Sequence, residues 1–368
     1  MRRFIIVLIA LMASLSLNAQ DYATIGRYMT FYSGILGGEV SFLVHLPEGY
    51  ESSGIDYPVV YMMNGQSLTS FANAAATIDN LSNDRIPDMI LIGISNTGVA
   101  ASHGICPDDS GNLKRGDVFI KFFREDLLPV IKRSYRTNDY RILFGQSNAG
   151  LFVLYNYLAQ SDLFNAYVVA SPMLGRCPQF YLEKTKALLN NKPSPHRKLY
   201  LCYGDLDYVE VLRYMTAFIG ILKESPLFPG YVAVMIENTG HVPYITLNNA
   251  LLYFFSGCTI TDDMKRLSIP EIKAHFEKLS IEYGFTVVPK AGILFDMAID
   301  KKNEKEFGHA IGLFKYLISL YPGNEIYHYF LGQTYVQQGD VCDARECFEE
   351  ALRINPEFIQ AKSALDKI

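Results

Sequence analysis

The chain has 368 residues, 49% hydrophobic and 19% charged, with 33 basic against 38 acidic side chains and a net charge of −5. That length accommodates one large domain and a small one. Acidic and basic residues are mixed throughout, which argues against nucleic acid and against a membrane surface as partners.

Arg2 and Arg3 precede an apolar run from Phe4 to Leu17, followed by Asn18-Ala19-Gln20. This is the layout of a cleaved secretory signal over residues 1–19, with Ala19 the last residue removed. The run is shorter than the roughly 20 residues of a spanning helix, so no membrane span is expected after cleavage. No cysteine follows the small residues, which argues against a lipoprotein. The expectation is a soluble protein, periplasmic or secreted. The six cysteines, Cys106, Cys177, Cys202, Cys258, Cys342 and Cys347, include no C-x-x-C pair. Such a compartment permits disulfides, but the spacing assigns none, and core-filling thiols are the simpler account.

From about residue 39 to 257, apolar runs alternate with helical patterns. Val40 to Leu46 reads as a half-buried strand with Val40, Phe42, Val44 and Leu46 on one side. Pro58–Met63, Met89–Ile94, Arg141–Phe144, Ala166–Ala170, Leu199–Tyr203 and Tyr231–Ile236 are apolar on both faces, as central strands of a covered parallel sheet are. Segments such as Val118–Tyr135 and Val209–Lys223 have helical periodicity between them. The pattern predicts an α/β sandwich with a mostly parallel central sheet over residues 20–258. In such sheets chemistry sits on loops at the carboxyl ends of the strands, here 64–70, 95–117, 145–150, 171–178, 204–210 and 238–244.

After a helical linker over 259–290, residues 291–368 read differently. Ala310, Phe314 and Pro322 recur 34 residues later as Ala344, Phe348 and Pro356. With Leu331, Gly332, Tyr335 and Ala351 they fall where a tetratricopeptide repeat needs small residues between touching helices and a terminating proline. Residues 359–368 read as a capping helix. Two repeats fall below the roughly three needed for independent stability. They are therefore expected to dock on the linker near 268–283 or on the main domain. Whether they also hold a protein partner is open at this point.

The densest chemical signal is Gly145-Gln146-Ser147-Asn148-Ala149-Gly150, between the apolar run 141–144 and a helical segment starting at Leu151. A serine between strand and helix with small neighbours reads as a nucleophile elbow. A serine nucleophile needs a base and a group that orients the base. Of seven histidines, His45 lies inside a strand, His196 in a polar connection, and His275, His309 and His328 in the C-terminal helices, where surface or satisfied histidines are ordinary. His103 and His241 remain, and His241 follows the last strand at the correct end of the sheet. The acid should follow the preceding strand, in Gly204-Asp205-Leu206-Asp207-Tyr208-Val209-Glu210. Asp207 is preferred for its reach, with Asp205 as a turn cap and Glu210 as a solvated first-turn residue the alternatives. Gly93-Ile94-Ser95-Asn96-Thr97-Gly98 has the same spacing as the elbow, yet no helical pattern follows, so Ser95 reads as a pocket-wall residue. For the oxyanion, the backbone N–H of Asn148 is the natural first donor, and Gly65 or Gln66 in the loop after 58–63 the second.

With these residues placed, the chain resembles the Putative esterase family of the α/β-hydrolases, which includes siderophore, feruloyl and acetyl-xylan esterases. The resemblance rests on HLPEGY (45–50), YPVVYMMNG (57–65), RIPDMILIGISNT (85–97), FREDLLPVIKRSYRT (123–137), the stretch 145–172, LYLCYGD (199–205) and GHVPY (240–244). It implies an α/β-hydrolase fold and a serine ester hydrolase with Ser147 as nucleophile and His241 as base, needing no metal or organic cofactor. Departures are Gln146 where relatives carry histidine, Ala149-Gly150 in place of Gly-Gly, and His103-Gly104-Ile105-Cys106-Pro107 in a pocket-shaping segment. Ser171-Pro172 leads into Met173-Leu174-Gly175-Arg176 rather than tryptophans. The resemblance therefore implies a small-molecule or carbohydrate-linked ester as substrate without selecting one. A catalytically idle scaffold using the repeats, and an acyltransferase with the same triad, are the competing readings.

Overall fold

The apolar runs lie side by side in one eight-stranded sheet in the computed structural model, which describes residues 25–51, 53–95, 106–107, 114–159, 162–190, 197–224 and 230–368. The expected signal segment and the positions of His103 and His196 lie outside the described residues. The strands are β1 (Arg27–Ser33), β2 (Gly38–His45), β3 (Tyr57–Met63), β4 (Ile90–Ile94), β5 (Thr137–Gln146), β6 (Ala166–Ala170), β7 (Lys198–Gly204) and β8 (Tyr231–Ile236). Their order is β1-β2-β4-β3-β5-β6-β7-β8. β2 pairs antiparallel with both β1 and β4, and every pair from β4 to β8 is parallel. Parallel pairing requires crossovers, which here carry helices to both faces of the sheet.

The helices of the α/β part are α1 (Leu68–Ser82), α2 (Lys114–Phe122), α3 (Leu128–Ser134), α4 (Ser147–Leu158), α5 (Pro178–Asn190), α6 (Val209–Lys223) and α7 (Thr246–Phe254). A π-helical turn, Phe123–Leu127, joins α2 to α3. Successive residues of a strand face opposite ways, so Val59 and Tyr61 of β3 enter one core while Val60 and Met62 enter the other. The first core is closed by Phe119, Phe123 and Phe152, with Phe119 edge-on to Phe152 at 5.1 Å. The second is closed by Phe71 and Ile78 of α1 and Leu247, Leu251 and Phe254 of α7. Each such fully buried side chain contributes roughly 1.5–3 kcal/mol. The loops that carry Ser147 and His241 are thus fixed to the sheet.

Helices α8 (Ile269–Tyr283), α9 (Ala291–Asn303), α10 (Phe307–Leu320), α11 (Glu325–Gln338), α12 (Val341–Ile354) and α13 (Ile359–Leu365) extend the second core. Ser268 and Glu271 start α8 with a reciprocal capping box. Tyr283 at its end packs on Phe255 and Tyr140, with centroids 5.2 and 5.7 Å apart, and its hydroxyl donates to the Phe254 carbonyl at 2.8 Å. Lys290 pairs with Asp88 at 2.7 Å. Also on α8, the Lys273 ammonium lies 4.5 Å from the Tyr316 ring of α10. Ala310, Ala344, Ala351 and Ala361 are fully buried where the repeat helices touch. The linker helix therefore joins the repeats to the α/β part. Among the described residues no helix is long and apolar enough to cross a membrane.

Three features differ from the sequence expectation. β1 has no run in the sequence reading, because five of its seven residues are exposed and no apolar face marks it. β8, read as a central strand, is an edge strand whose residues are only partly covered, with Met235 52% exposed. Cys202 and Cys258 fill cores as expected, but Cys106 and Cys177 form a disulfide with Cα atoms 5.8 Å apart. Pairing depends on that distance, which spacing along the chain does not encode.

Candidate active site

β5 turns into α4 with no intervening loop. The helix begins at Ser147 itself, four residues before the apolar segment that marks it in the sequence. Ser147 has φ +55°, a left-handed conformation that costs a non-glycine residue on the order of 1–3 kcal/mol. Gly145 makes the bend possible: a Cβ there would lie 2.6 Å from Val153 Cγ2 and 2.7 Å from the Ala149 carbonyl oxygen. Asn148 is the second residue of α4, so its N–H has no acceptor within the helix and points out of the positive end of the dipole.

The loop after β8 brings His241 to this serine. Nε2 of His241 lies 2.9 Å from Ser147 Oγ and Nδ1 lies 2.7 Å from Asp207 Oδ1. A carboxylate can only accept, so Nδ1 carries the proton and Nε2 presents its lone pair to the serine hydroxyl. The backbone N–H of Tyr208 donates to the same Oδ1 at 2.7 Å and fixes the carboxylate. The Asp207 side chain is 0% exposed and that of His241 21%, so the orienting charge sits in a dry interior and the imidazole edge faces the cleft.

Main-chain contacts hold the Asp207 and His241 loops together. A Cβ on Gly204 would fall 1.9 Å from the Thr239 carbonyl oxygen, so only glycine lets the loops approach. The Leu206 N–H donates to that oxygen at 3.0 Å. Asp205 Oδ1 accepts from the Thr239 N–H at 3.1 Å, and this bond, the largest cause, holds its carboxyl below the usual range. Asp205 is therefore a brace of the base loop. Glu210 is exposed in the first turn of α6, beside Gly175. Of the three carboxylates in this segment, only Asp207 touches the imidazole.

Of the two residues expected to offer the second oxyanion donor, Gly65 commits its N–H to the Ile94 carbonyl at 2.7 Å. Ser95, at the end of β4, is buried, and its N–H donates to Ser41. Both ring nitrogens of His241 are taken by Ser147 and Asp207, so the imidazole does not serve Ser95. The remaining described histidines have structural partners: His45 with Ile25 and Asp79, His275 with Gly257, His309 near Glu306, and His328 with Pro322.

Two residues at the site escape the sequence reading. The Tyr208 ring lies 4.7 Å from that of His241, and with Leu206, Val209 and Tyr244 it forms an exposed apolar rim on the acid and base loops. Exposed apolar side chains in a loop at the carboxyl end of a sheet are a usable signal for such a rim. Ser171 accepts from the backbone N–H of Val242, the residue after His241, at 2.9 Å. Nothing in its local sequence marks that role.

Residues 33–212 match the family model described as Putative esterase, and residues 326–358 match a tetratricopeptide repeat model. Ser147 and Asp207 fall inside the first match and His241 beyond it. The ferri-bacillibactin esterase of Bacillus subtilis is 36% identical over 95 residues, 24% of this chain and 32% of that protein, so the match spans about a third of that relative. Two solved structures share the fold. An IroE-like serine hydrolase from Shewanella oneidensis superposes with TM-score 0.64 at 22% identity, over 78% of this chain and 98% of that one. An uncharacterised protein from Capnocytophaga ochracea gives TM-score 0.63 at 17% identity, over 92% and 99%. Residues 33–212 thus resemble the Putative esterase family in sequence, residues 326–358 resemble a tetratricopeptide repeat, and the eight-stranded α/β fold is the one these solved structures share.

Proposed function

We propose that this protein is an exported serine hydrolase that cleaves carboxylic esters through an acyl-enzyme on Ser147. The observation that carries the reading is the continuous relay from Ser147 Oγ through His241 to the buried Asp207, with bonds of 2.9 and 2.7 Å. Ser147 Oγ attacks the ester carbonyl carbon while its proton passes to His241 Nε2. The oxyanion is received by the N–H groups of Asn148 and Gln66, each worth about 3 kcal/mol of transition-state stabilisation. Collapse breaks the bond to the leaving alkoxide, which takes the proton from His241. Water, deprotonated by His241, then attacks the acyl-enzyme and releases the acid, returning the proton to Ser147. Asp207 holds the imidazole in the required tautomer and balances the imidazolium charge.

The match to the Putative esterase model supports ester hydrolysis, and the name of the Bacillus relative supports a siderophore ester as one substrate class, beside feruloyl and acetyl-carbohydrate esters. Export to the periplasm or beyond is supported by the basic and apolar N-terminal segment and by the Cys106–Cys177 disulfide, a bond that persists in oxidising compartments. The repeats offer a surface for a protein partner as well as a brace for the hydrolase.

The test is labelling with a fluorophosphonate probe and turnover of short p-nitrophenyl esters by wild type, Ser147→Ala and Ser95→Ala. Both activities should vanish in Ser147→Ala alone. Unlabelled, inactive wild type favours a catalytically idle scaffold instead.

A further inference from the structure

We propose that Ser171 is a positioning residue that ties the nucleophile elbow to the base loop and so keeps Ser147 and His241 in reacting register. The inference rests on the roles given above to those two residues. Ser171 follows directly on β6, the strand beside the nucleophile strand β5, and is fully buried. Its N–H donates to the Cys202 carbonyl of β7 at 2.8 Å, which pins the turn to the sheet. Its hydroxyl oxygen accepts from the Val242 N–H at 2.9 Å, one residue beyond the base. Two residues further along the same turn, the Met173 N–H approaches the Ser147 carbonyl at 3.4 Å. One short turn therefore touches the peptide of the nucleophile at one end and the peptide next to the base at the other. The Cys106–Cys177 disulfide closes the segment a few residues on.

The backbone supports this reading independently. Ser171 has φ +44° and Val242 φ +60°, so both partners of the tie occupy the left-handed region, as Ser147 does. For a β-branched residue such as Val242 this conformation is a marked outlier, kept only where surrounding contacts over-determine it. The Ser171 hydroxyl is the contact that meets the Val242 amide in that conformation. Without this acceptor the base loop loses the reason to hold Val242 at positive φ, and relaxation of that residue rotates the adjoining His241. A displacement of about 1 Å at the reacting atoms is enough to cost on the order of a hundredfold in rate.

The experiment compares wild type, Ser171→Ala and Ser171→Gly in the full chain. Both variants lose the acceptor, but glycine adopts positive φ without strain, so it separates backbone relief from the hydrogen bond. We expect kcat for p-nitrophenyl acetate to fall roughly 10- to 100-fold in both, with KM within about twofold. Ser171→Gly should melt no lower than Ser171→Ala. The downfield proton resonance of His241 Nδ1–H, sharp in wild type through its bond to Asp207, should shift or broaden in both. A Ser171→Gly variant with wild-type kcat and an unchanged resonance overturns the proposal and leaves Ser171 a packing residue. If wild type turns over no ester, the hydrolase reading fails by itself. The resonance still decides the tie: altered in the variants it stands, unaltered it falls.

Discussion

Asp207→Asn separates the charge of the acid from its hydrogen bond, because the structure dictates how the amide sits. Oδ1 of Asp207 accepts from both His241 Nδ1 and the Tyr208 N–H, each at 2.7 Å, while buried Oδ2 meets no hydrogen-bond partner among the described residues. The Tyr208 N–H can only donate, so it turns the oxygen of an asparagine amide toward itself and the imidazole. The imidazole tautomer then survives, and the loss is that of the negative charge beside the developing imidazolium. Replacing a charged acceptor by a neutral one costs about 1–2 kcal/mol. The direct Coulomb attraction at about 4 Å and an effective dielectric constant of 20 is about 4 kcal/mol, an upper bound that applies because the side chain is 0% exposed. Taken together, the loss is roughly 10- to 1,000-fold in kcat/KM. An amide flipped to present its NH2 to the ring would trap the wrong tautomer and cost about 10⁴-fold instead. The assay is steady-state hydrolysis of p-nitrophenyl acetate, with thermal melts to verify folding. Asp205→Asn is the control, since its amide oxygen can still accept from Thr239, and it should stay within about twofold. Equal losses in the two variants, or an unimpaired Asp207→Asn, refute the reasoning.

Gly204→Ala drives a Cβ into the Thr239 and Gly240 carbonyl oxygens, at 1.9 and 2.4 Å, so the loop carrying His241 must move. Fluorophosphonate labelling of Ser147 should slow by about a hundredfold or more, and a labelling rate near wild type contradicts the packing described. The Asp205 carboxyl is lowered first of all by the Thr239 amide, so its contribution to stability is complete above the unfolded value of about 3.9 and is lost as pH falls through the lower folded value. Melting temperatures of wild type and Asp205→Asn should accordingly differ at neutral pH and converge in acid; a gap that widens in acid rejects the assignment. Burial raises the Cys202 thiol and pushes that of Cys258 up to about 12, whereas Cys342 is exposed. Native alkylation at pH 8 should modify Cys342 first, reach Cys202 and Cys258 only after unfolding, and reach Cys106 and Cys177 only after reduction. Modification of Cys258 in the folded protein counts against the core described.

What was legible in the sequence is what depends on pattern and order. Central strands such as β3 and β6 are uninterrupted apolar runs because both faces are buried. Ser147, Asp207 and His241 each follow a parallel strand at its carboxyl end, so the topology that makes the sheet also brings them together. Features that depend on neighbours in space were not legible. β8 differs from a central strand only in what lies beside it, and β1 carries no apolar face to mark it. The helix after the elbow begins at Ser147 because Gly145 lets the backbone bend there, ahead of any apolar periodicity. Whether Gly65 can offer its N–H depends on the Ile94 carbonyl, and the value of Ser171 depends on Val242, 71 residues away in the chain.

The most direct measurement is intact-protein and peptide mass spectrometry on enzyme acid-quenched during turnover of a slowly deacylating p-nitrophenyl ester. A mass increase of one acyl group on the peptide containing Ser147, formed at the rate of the p-nitrophenol burst and absent in Ser147→Ala, is the predicted result. Ester turnover with no acylated species, or acylation confined to another residue, contradicts the account.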